Sequence, residues 1–453
     1  MSKPQPMTSG SPAKQLVLFT LPLLISEISH LFYSMADAII VGQILGVNSL
    51  AAVGCTAVIS SFVFGFVFGL TNGFTIALAQ RFGAEDKIGV QRSFASGLLL
   101  ALSFALVIMA VFIPLLHSAL RLMRTPPNIF DEAYQYISII FYGLCITAIS
   151  SMFSNTLYAL GNSKLPLYIH IISSLINICL DYFFILVFGW GVAGAALATI
   201  LAQLVSIILF AAFIFTKYPA LFSCKRNDWL LWRMPKGEIR AHLKLGIAMG
   251  LQRSIVELGN ILMQAAMNGL GALAIASISA AQRIRQLNML PLFTIGAALA
   301  TYTAQNYGAR KIARIYQGIR HACLISLSFS VIMGIVNFLW GDSLASLFIK
   351  DAPEALDMAQ LYLKYIGATV FLLGIMLIFR NVMQGIGRSA SPILCSVLET
   401  VMSVVTAFLL IPRMGFTGVC LANPLSWLAS GIPLYIAFVM FVAQQRSNKL
   451  GYE

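Results

Sequence analysis

Long apolar stretches recur along the whole chain, and each can cross a membrane as a helix. About 20 helical residues are needed to span the roughly 30 Å of hydrocarbon in a bilayer. Only 10% of the residues are charged, whereas soluble proteins carry about a quarter. The sequence therefore predicts an all-α polytopic membrane protein with twelve transmembrane helices, at about 15–44, 51–79, 93–116, 134–160, 165–188, 191–216, 245–268, 273–306, 319–341, 361–385, 392–412 and 416–443.

Three sequence motifs occur twice, separated by 225, 226 and 224 residues. They are "AQRFGA" at 79–84 with "AQNYGA" at 304–309, "FSNTLYALGNSKLP" at 153–166 with "FRNVMQGIGRSASP" at 379–392, and "GVAGAALA" at 191–198 with "GFTGVCLA" at 415–422. Three matches at nearly one offset indicate an internal repeat.

The repeat predicts two six-helix bundles, an N-lobe at 1–216 and a C-lobe at 245–453, joined by a basic connector at 217–244. Because six is an even number, both bundles cross the membrane in the same sense. A pseudo-two-fold axis along the membrane normal should relate them. Parallel repeats of this kind are typical of transporters that bind substrate between the halves and work by alternating access.

The basic residues are distributed unequally between the two sides of the predicted membrane. With the N-terminus inside, 20 of them face the cytoplasm and five face outward: Arg121, Arg124, Lys350, Lys364 and Arg413. This bias predicts a multi-pass protein of the cell membrane with both termini in the cytoplasm. The net charge of +13 thus comes from the basic residues that orient the protein in the lipid bilayer, and we expect no nucleic-acid partner.

Five acidic residues lie inside the apolar segments: Glu27, Asp37, Asp181, Glu257 and Glu399. A carboxylate inside a membrane is costly and is rarely without a partner. By helix rise, Asp181 on helix five and Asp37 on helix one lie about 13 Å and about 12 Å from the outer surface. Thr199 on helix six reaches a similar depth. We expect these three residues to be neighbours.

Asn177 lies one turn from Asp181, and Tyr33 lies one turn from Asp37. No basic residue reaches this level, so one carboxyl must be protonated or a cation must lie between the two. Ligands that are all oxygen suit H⁺ or Na⁺ better than zinc or copper. We predict a cation-coupling site here, with Na⁺ ligands if sodium is the ion; the alternative is that Asp181 only hydrogen-bonds to backbone or caps a broken helix. The predicted site comprises Tyr33, Asp37, Asn177, Asp181 and Thr199, and all but Tyr33 would be metal ligands.

The second half lacks the paired acids, because the repeat offset places Ser403, Ala407 and Asn423 at the positions of Asn177, Asp181 and Thr199. Its own acids have basic residues at comparable depth, and we interpret these charges as ion pairs. In the alternative interpretation, Glu257 contacts the substrate. The charges concerned are Glu257 with Arg253 and Arg283, and Glu399 with Arg380.

At these residues the chain resembles the multidrug and toxic compound extrusion (MATE) family. The resemblance covers essentially the whole chain: twelve helices in two six-helix lobes, the "NYGA"-like loop after helices two and eight, and the run from Asn177 to Thr199, "NICLDYFFILVFGWGVAGAALAT". It implies the MATE fold and cation-coupled export of drugs and metabolites. It also implies that the five predicted site residues match the DinF-like branch, with Pro22 at a bend in helix one. Another branch, resembling NorM, uses carboxylates on helices seven and ten, but here helix ten contains no acid.

The leading hypothesis is a secondary antiporter that exports amphipathic or cationic small molecules in exchange for H⁺ or Na⁺. We expect it to be a monomer, to need no cofactor and not to be an enzyme. A flippase for lipid-linked saccharides is the alternative, although such proteins often have fourteen helices and a strongly cationic cavity. An integral-membrane lipid enzyme is a third possibility. It would usually need a cluster of His, Ser or carboxylate groups at the membrane interface, and the sequence has none.

Overall fold

The computed structural model describes residues 6–222, 235–349 and 352–450, and in these residues the secondary structure is helical. The predicted connector at 217–244 lies partly in 223–234, outside the described residues, and its last part opens a helix at Lys236. The α-helices are α1 (Pro12–Ile44), α2 (Val47–Gly83), α3 (Lys87–Leu122), α4 (Pro127–Tyr142), α5 (Leu144–Ala159), α6 (Lys164–Tyr182), α7 (Gly191–Lys217), α8 (Lys236–Asn268), α9 (Ala272–Gly308), α10 (Ile312–Ala345), α11 (Pro353–Gly385), α12 (Ala390–Val405), α13 (Ile411–Met414) and α14 (Phe416–Leu450).

The twelve-helix layout is confirmed, since each predicted segment corresponds to one helical passage. Two passages continue through a short π-helical turn, Phe183–Val187 after α6 and Thr406–Leu410 after α12. Among the described helices, ten are long and apolar enough to cross a membrane, and α4 with α5 forms an eleventh as a pair bent by 48°. The remaining passage, α8, is less apolar because polar residues such as Gln252, Arg253 and Glu257 interrupt it.

The bend between α4 and α5 occurs at Gly143. A Cβ atom at this position would lie 2.6 Å from Cγ1 of Ile200 on α7. Such a distance is far inside van der Waals contact, so a residue with a Cβ atom would force the Ile200 side chain to shift. Glycine at position 143 therefore allows the Ile200 side chain to pack closely at the bend.

The chain divides into two compact units. Unit 1 consists mainly of Leu21–Gly250, and unit 2 consists of Met7–Thr20 together with Leu251–Glu453. The division cuts α1 next to Pro22 and cuts α8 after Gly250. A proline inside a helix removes one backbone hydrogen bond, which makes that point of α1 easier to bend.

Unit 1 has its core among α2, α3, α4 and α5, around the fully buried Phe74, Phe141 and Met152. The first part of α8 packs against α2 at two glycines. A Cβ atom at Gly73 would lie 2.5 Å from the carbonyl oxygen of Leu245, and one at Gly69 would overlap the carbonyl of Met249. The GxxxG spacing of α2 thus allows direct contact between two helix backbones.

In unit 2, the "AQNYGA" motif holds the segment that precedes α1. Gln305 Oε1 accepts a hydrogen bond from the backbone N–H of Met7 at 2.7 Å, and Asn306 Nδ2 donates to the Met7 carbonyl at 3.0 Å. Arg314 Nη1 donates to the Gly10 carbonyl at 2.9 Å, and its Nε donates to Asn306 Oδ1 at 3.1 Å. Polar contacts, of which those at Met7 are buried, therefore hold this segment against α9 and α10.

The first copy of the motif, in unit 1, has a comparable role at the start of α8. Arg81 of "AQRFGA" forms an ion pair with Glu238, whose other carboxylate oxygen accepts a hydrogen bond from Ser93 Oγ at 2.8 Å. Each copy of the repeated motif thus anchors the beginning of the first helix of a repeat.

We expect Asn306→Ala to lower the free energy of unfolding by about 1–3 kcal/mol, because buried groups of Arg314 and Met7 lose a hydrogen-bonding partner. Thermal unfolding of the purified protein in detergent measures the loss. Asn268→Ala is the matched control, since Asn268 is exposed at the end of α8. Equal stability of the Asn306→Ala and Asn268→Ala variants would show that the anchor contributes little.

Candidate cation-coupling site

The predicted site residues come together inside unit 1, where α1, α6 and α7 meet. The hydroxyl oxygens of Tyr33 and Thr199 are 3.3 Å apart, and Asn177 Nδ2 donates to Thr199 Oγ1 at 3.5 Å. Thr199 Oγ1 donates in turn to the carbonyl of Ala195 at 3.2 Å. Thr199 therefore connects the tyrosine of α1 to the amide of α6.

The two carboxyl groups lie beside these hydroxyls. Asp37 and Asp181 are close enough to share a hydrogen bond if one of them carries a proton. Asp181 is 0% exposed and Asn177 is 1% exposed, while Asp37 is partly buried. In the described part of the chain, neither carboxyl group has an ion-pair partner within 4.0 Å.

Among the described residues, no hydrogen-bond donor reaches four buried oxygens of the site: Oδ1 of Asp37, Oδ1 of Asn177, and Oδ1 and Oδ2 of Asp181. Buried polar atoms are nearly always hydrogen-bonded, so a group of unpaired acceptors needs an explanation. A proton on one carboxyl, or a cation among the four oxygens, would satisfy them. All four are hard oxygen donors, which fit Na⁺ or H⁺ and serve soft metals poorly. The backbone hydrogen bond of the alternative interpretation is not present at Asp181.

Helix geometry changes immediately after Asp181. The π-helical turn Phe183–Val187 begins two residues later and ends the passage of α6. π-Helical turns interrupt regular hydrogen bonding and occur often at functional sites. Gly194 of α7 allows this turn to approach closely, since a Cβ atom there would be 3.0 Å from the Cβ of Phe184.

A small apolar cluster lies one helical turn from the polar residues. Its buried members are Ile40, Val41, Ile185 and Ala195. Each of three members lies four residues from a polar site residue on the same helical passage: Val41 from Asp37, Ile185 from Asp181, and Ala195 from Thr199. In all three cases the apolar residue lies on the side of the polar residue that is predicted to face outward. The cluster can exclude water from that side of the carboxyl groups.

Tyr136 of α4 is a site residue that the sequence reasoning missed. It packs on this apolar cluster and interacts electrostatically with Asp37, Tyr33 and Asp181. The repeat contained the signal, because Tyr362 stands 226 residues later in the second half. Its hydroxyl accepts a hydrogen bond from Asn423 Nδ2 at 3.0 Å. In the second half this tyrosine thus contacts Asn423, the repeat counterpart of Thr199.

Of the two ion pairs predicted in the second half, one forms in the structure and the other does not. Arg380 and Glu399 come together, with Nη2 and Oε2 2.6 Å apart and both side chains mostly buried. Glu257 accepts a hydrogen bond from Asn260 at 3.4 Å, and among the described residues no basic group lies within ion-pair distance of it. Arg283 instead lies over the ring of Phe348, with 5.9 Å to the centroid, and Arg253 is exposed. The expected ion pair at Glu257 is thus not formed, because the basic side chains point elsewhere.

A protein-family model described as MatE matches this chain twice, at residues 22–183 and 248–409, which together make up more than half of it. The two matches start 226 residues apart, the offset of the internal repeat. The probable multidrug resistance protein YpnP of Bacillus subtilis is 28% identical over 84% of each chain. The probable multidrug resistance protein NorM of Thermotoga maritima is 26% identical, over 85% of this chain and 82% of its own.

The fold also matches solved structures along nearly its whole length. A crystal structure of a MATE protein in the bent conformation superimposes with a TM-score of 0.91, at 23% identity, over 99% of both chains. At this identity the likeness concerns the fold. It agrees with twelve helical passages arranged as two repeats.

Proposed function

Because this chain belongs to the MatE family, we propose that it exports amphipathic and cationic organic compounds in exchange for a cation bound at Asp37 and Asp181. It is a multidrug efflux transporter of the membrane and not an enzyme, and family members are driven by an ion gradient without a cofactor. The coupling ion is H⁺ or Na⁺, and both fit the oxygen ligands of the site.

One observation carries the proposal: the four buried, unpaired oxygens around two adjacent carboxyl groups. Two neighbouring ionised carboxylates repel each other, and burial increases the repulsion. The empty, doubly ionised site is therefore unfavourable. Binding of a cation draws Asp37 on α1 toward Asp181 on α6, so the position of α1 depends on occupancy.

Exchange requires that cation and substrate prefer different conformations of the protein. A ligand shifts a conformational equilibrium only by its difference in affinity between the states. We propose that the cation favours α1 drawn toward α6 and α7, and that the substrate favours α1 moved away. Pro22 is the proposed hinge, because α1 passes from unit 2 to unit 1 beside it.

The distribution of basic residues supports an orientation with both termini in the cytoplasm of a cell-membrane protein. We propose that the transporter works as a monomer, since the residues of the cation site all belong to one chain. The flippase alternative is not favoured, because YpnP and NorM, which match most of the chain, are named probable multidrug resistance proteins.

Reconstituted vesicles test the proposal. We expect export of a cationic dye to follow an imposed H⁺ or Na⁺ gradient and to need no nucleotide, since the sequence has no GxxxxGK[ST] phosphate-binding loop. Dye efflux is measured by fluorescence with pH and sodium gradients imposed separately. Export that required ATP after both gradients had been collapsed would refute the proposal.

A further inference from the structure

A groove of about 390 Å³ runs between α10 and α11 in unit 2. Apolar side chains that are about half exposed form its wall on α10, among them Leu327, Val331, Ile335 and Phe338. On α11 the groove is bordered by Lys364 and Phe371. In a membrane-spanning protein, side chains exposed in this way contact lipid.

Two glycines give the groove its shape. A Cβ atom at Gly334 of α10 would lie 2.8 Å from the carbonyl oxygen of Gly367 on α11. The helix backbones therefore touch, and the larger side chains stand on either side of the contact. The shape of the groove thus follows from the helix packing.

Of the described residues that line the groove, Lys364 is the one that carries a charge. Its ammonium lies over the ring of Phe338, 5.3 Å from the centroid, and in the described residues no carboxylate is within 4.0 Å of it. A basic group inside a membrane-spanning helix is costly without a counter-charge, unless it reaches the headgroup region. At that depth, the phosphate of a lipid can provide the counter-charge.

The length of the groove matches one leaflet of a bilayer. Lys364 and Phe338 mark one end, and Leu327 lies eleven residues back along α10. Eleven residues of α-helix span about 16 Å, close to half of the roughly 30 Å hydrocarbon thickness. A headgroup at Lys364 would thus place an acyl chain along the apolar wall as far as the bilayer centre.

We propose that this groove binds one anionic phospholipid, with its phosphate at Lys364 and an acyl chain between α10 and α11. A free phosphate ion would leave the apolar wall unfilled, whereas a lipid occupies both the charged end and the groove. By the predicted orientation the lipid belongs to the outer leaflet. This proposal is independent of the cation site in unit 1.

Native mass spectrometry of the purified protein tests the proposal. We expect the wild type to retain one dioleoyl phosphatidylglycerol in preference to dioleoyl phosphatidylcholine by several fold. Lys364→Gln should lose this preference, because a neutral amide does not distinguish the net anionic headgroup from phosphatidylcholine, whose phosphate is balanced by its own choline. Ala368→Phe should lower retention of both lipids, because Ala368 is exposed in the groove and a larger side chain fills it.

Arg413→Gln is the matched control, since Arg413 is an exposed basic residue of α13 predicted to lie on the same side. It should retain lipid as the wild type does. Thermal unfolding of each variant in detergent shows that it is folded before lipid is added. Equal retention of the two lipids by the wild type, or an unchanged preference in Lys364→Gln, would overturn the proposal. Retention of inorganic phosphate in place of lipid by the wild type would also overturn it.

Discussion

Replacing Asp181 with Asn is expected to reduce ion-coupled export to the background of empty vesicles while the protein remains folded in the membrane. The side chains have nearly the same shape, so packing between α6 and its neighbours is retained. An amide cannot release a proton and carries no charge to attract Na⁺. The occupancy of the site by H⁺ or Na⁺ then no longer responds to the ion gradient. Asp37→Asn should have the same effect, because the two carboxyl groups act as a pair.

Dye efflux and its ion dependence in proteoliposomes measure this effect. Asp342→Asn is the control, since Asp342 is an exposed acid at the end of α10. Asn177→Ala and Thr199→Ala should weaken the apparent affinity for the ion more than they slow transport at saturating ion. Wild-type efflux in Asp181→Asn would mean that the carboxylate has only a structural role.

Breaking the Arg380–Glu399 pair is expected to cost unit 2 about 3–5 kcal/mol of stability, because removal of one partner leaves an unpaired buried charge. The two charged groups are 2.6 Å apart, and their side chains are 10% and 16% exposed. Arg380→Met and Glu399→Gln should each lower the unfolding temperature. The double variant should be milder than the sum of the two, since it leaves no buried charge alone.

Thermal unfolding of the four proteins of this double-mutant cycle measures the coupling between Arg380 and Glu399. Glu354→Gln provides a control, because Glu354 is exposed in the first turn of α11. If the single variants keep wild-type stability and instead change the range of exported dyes, these charges contact substrate.

The sequence was sufficient to predict the number of helical passages, because the apolar segments are long and are separated by polar turns. The depth arithmetic for Asp37, Asp181 and Thr199 worked because rise per residue is nearly constant in helices. The same arithmetic predicted Arg253 and Arg283 as ion-pair partners of Glu257, and this prediction was wrong. Residues at equal depth can have side chains that point in different directions around their helices.

Tyr136 and the anchor at Asn306 show a second limit. Asn306 lies in a repeated motif, whereas Tyr136 lies in none of the three. The contacts of Tyr136 are with other helices, and they depend on how each helix is rotated about its axis. The hydrogen bonds from Asn306 to the segment before α1 follow from the path of the chain outside the membrane, for which hydropathy gives no signal.

The affinity of the purified protein for a fluorescent cationic dye, measured over a range of H⁺ and Na⁺ concentrations, tests the coupling site most directly. If Asp37 and Asp181 hold the coupling cation, dye affinity in the wild type should fall as that cation is added. In Asp181→Asn and Asp37→Asn, dye affinity should not depend on either cation. The same cation dependence in these variants as in the wild type would show that the ion binds elsewhere.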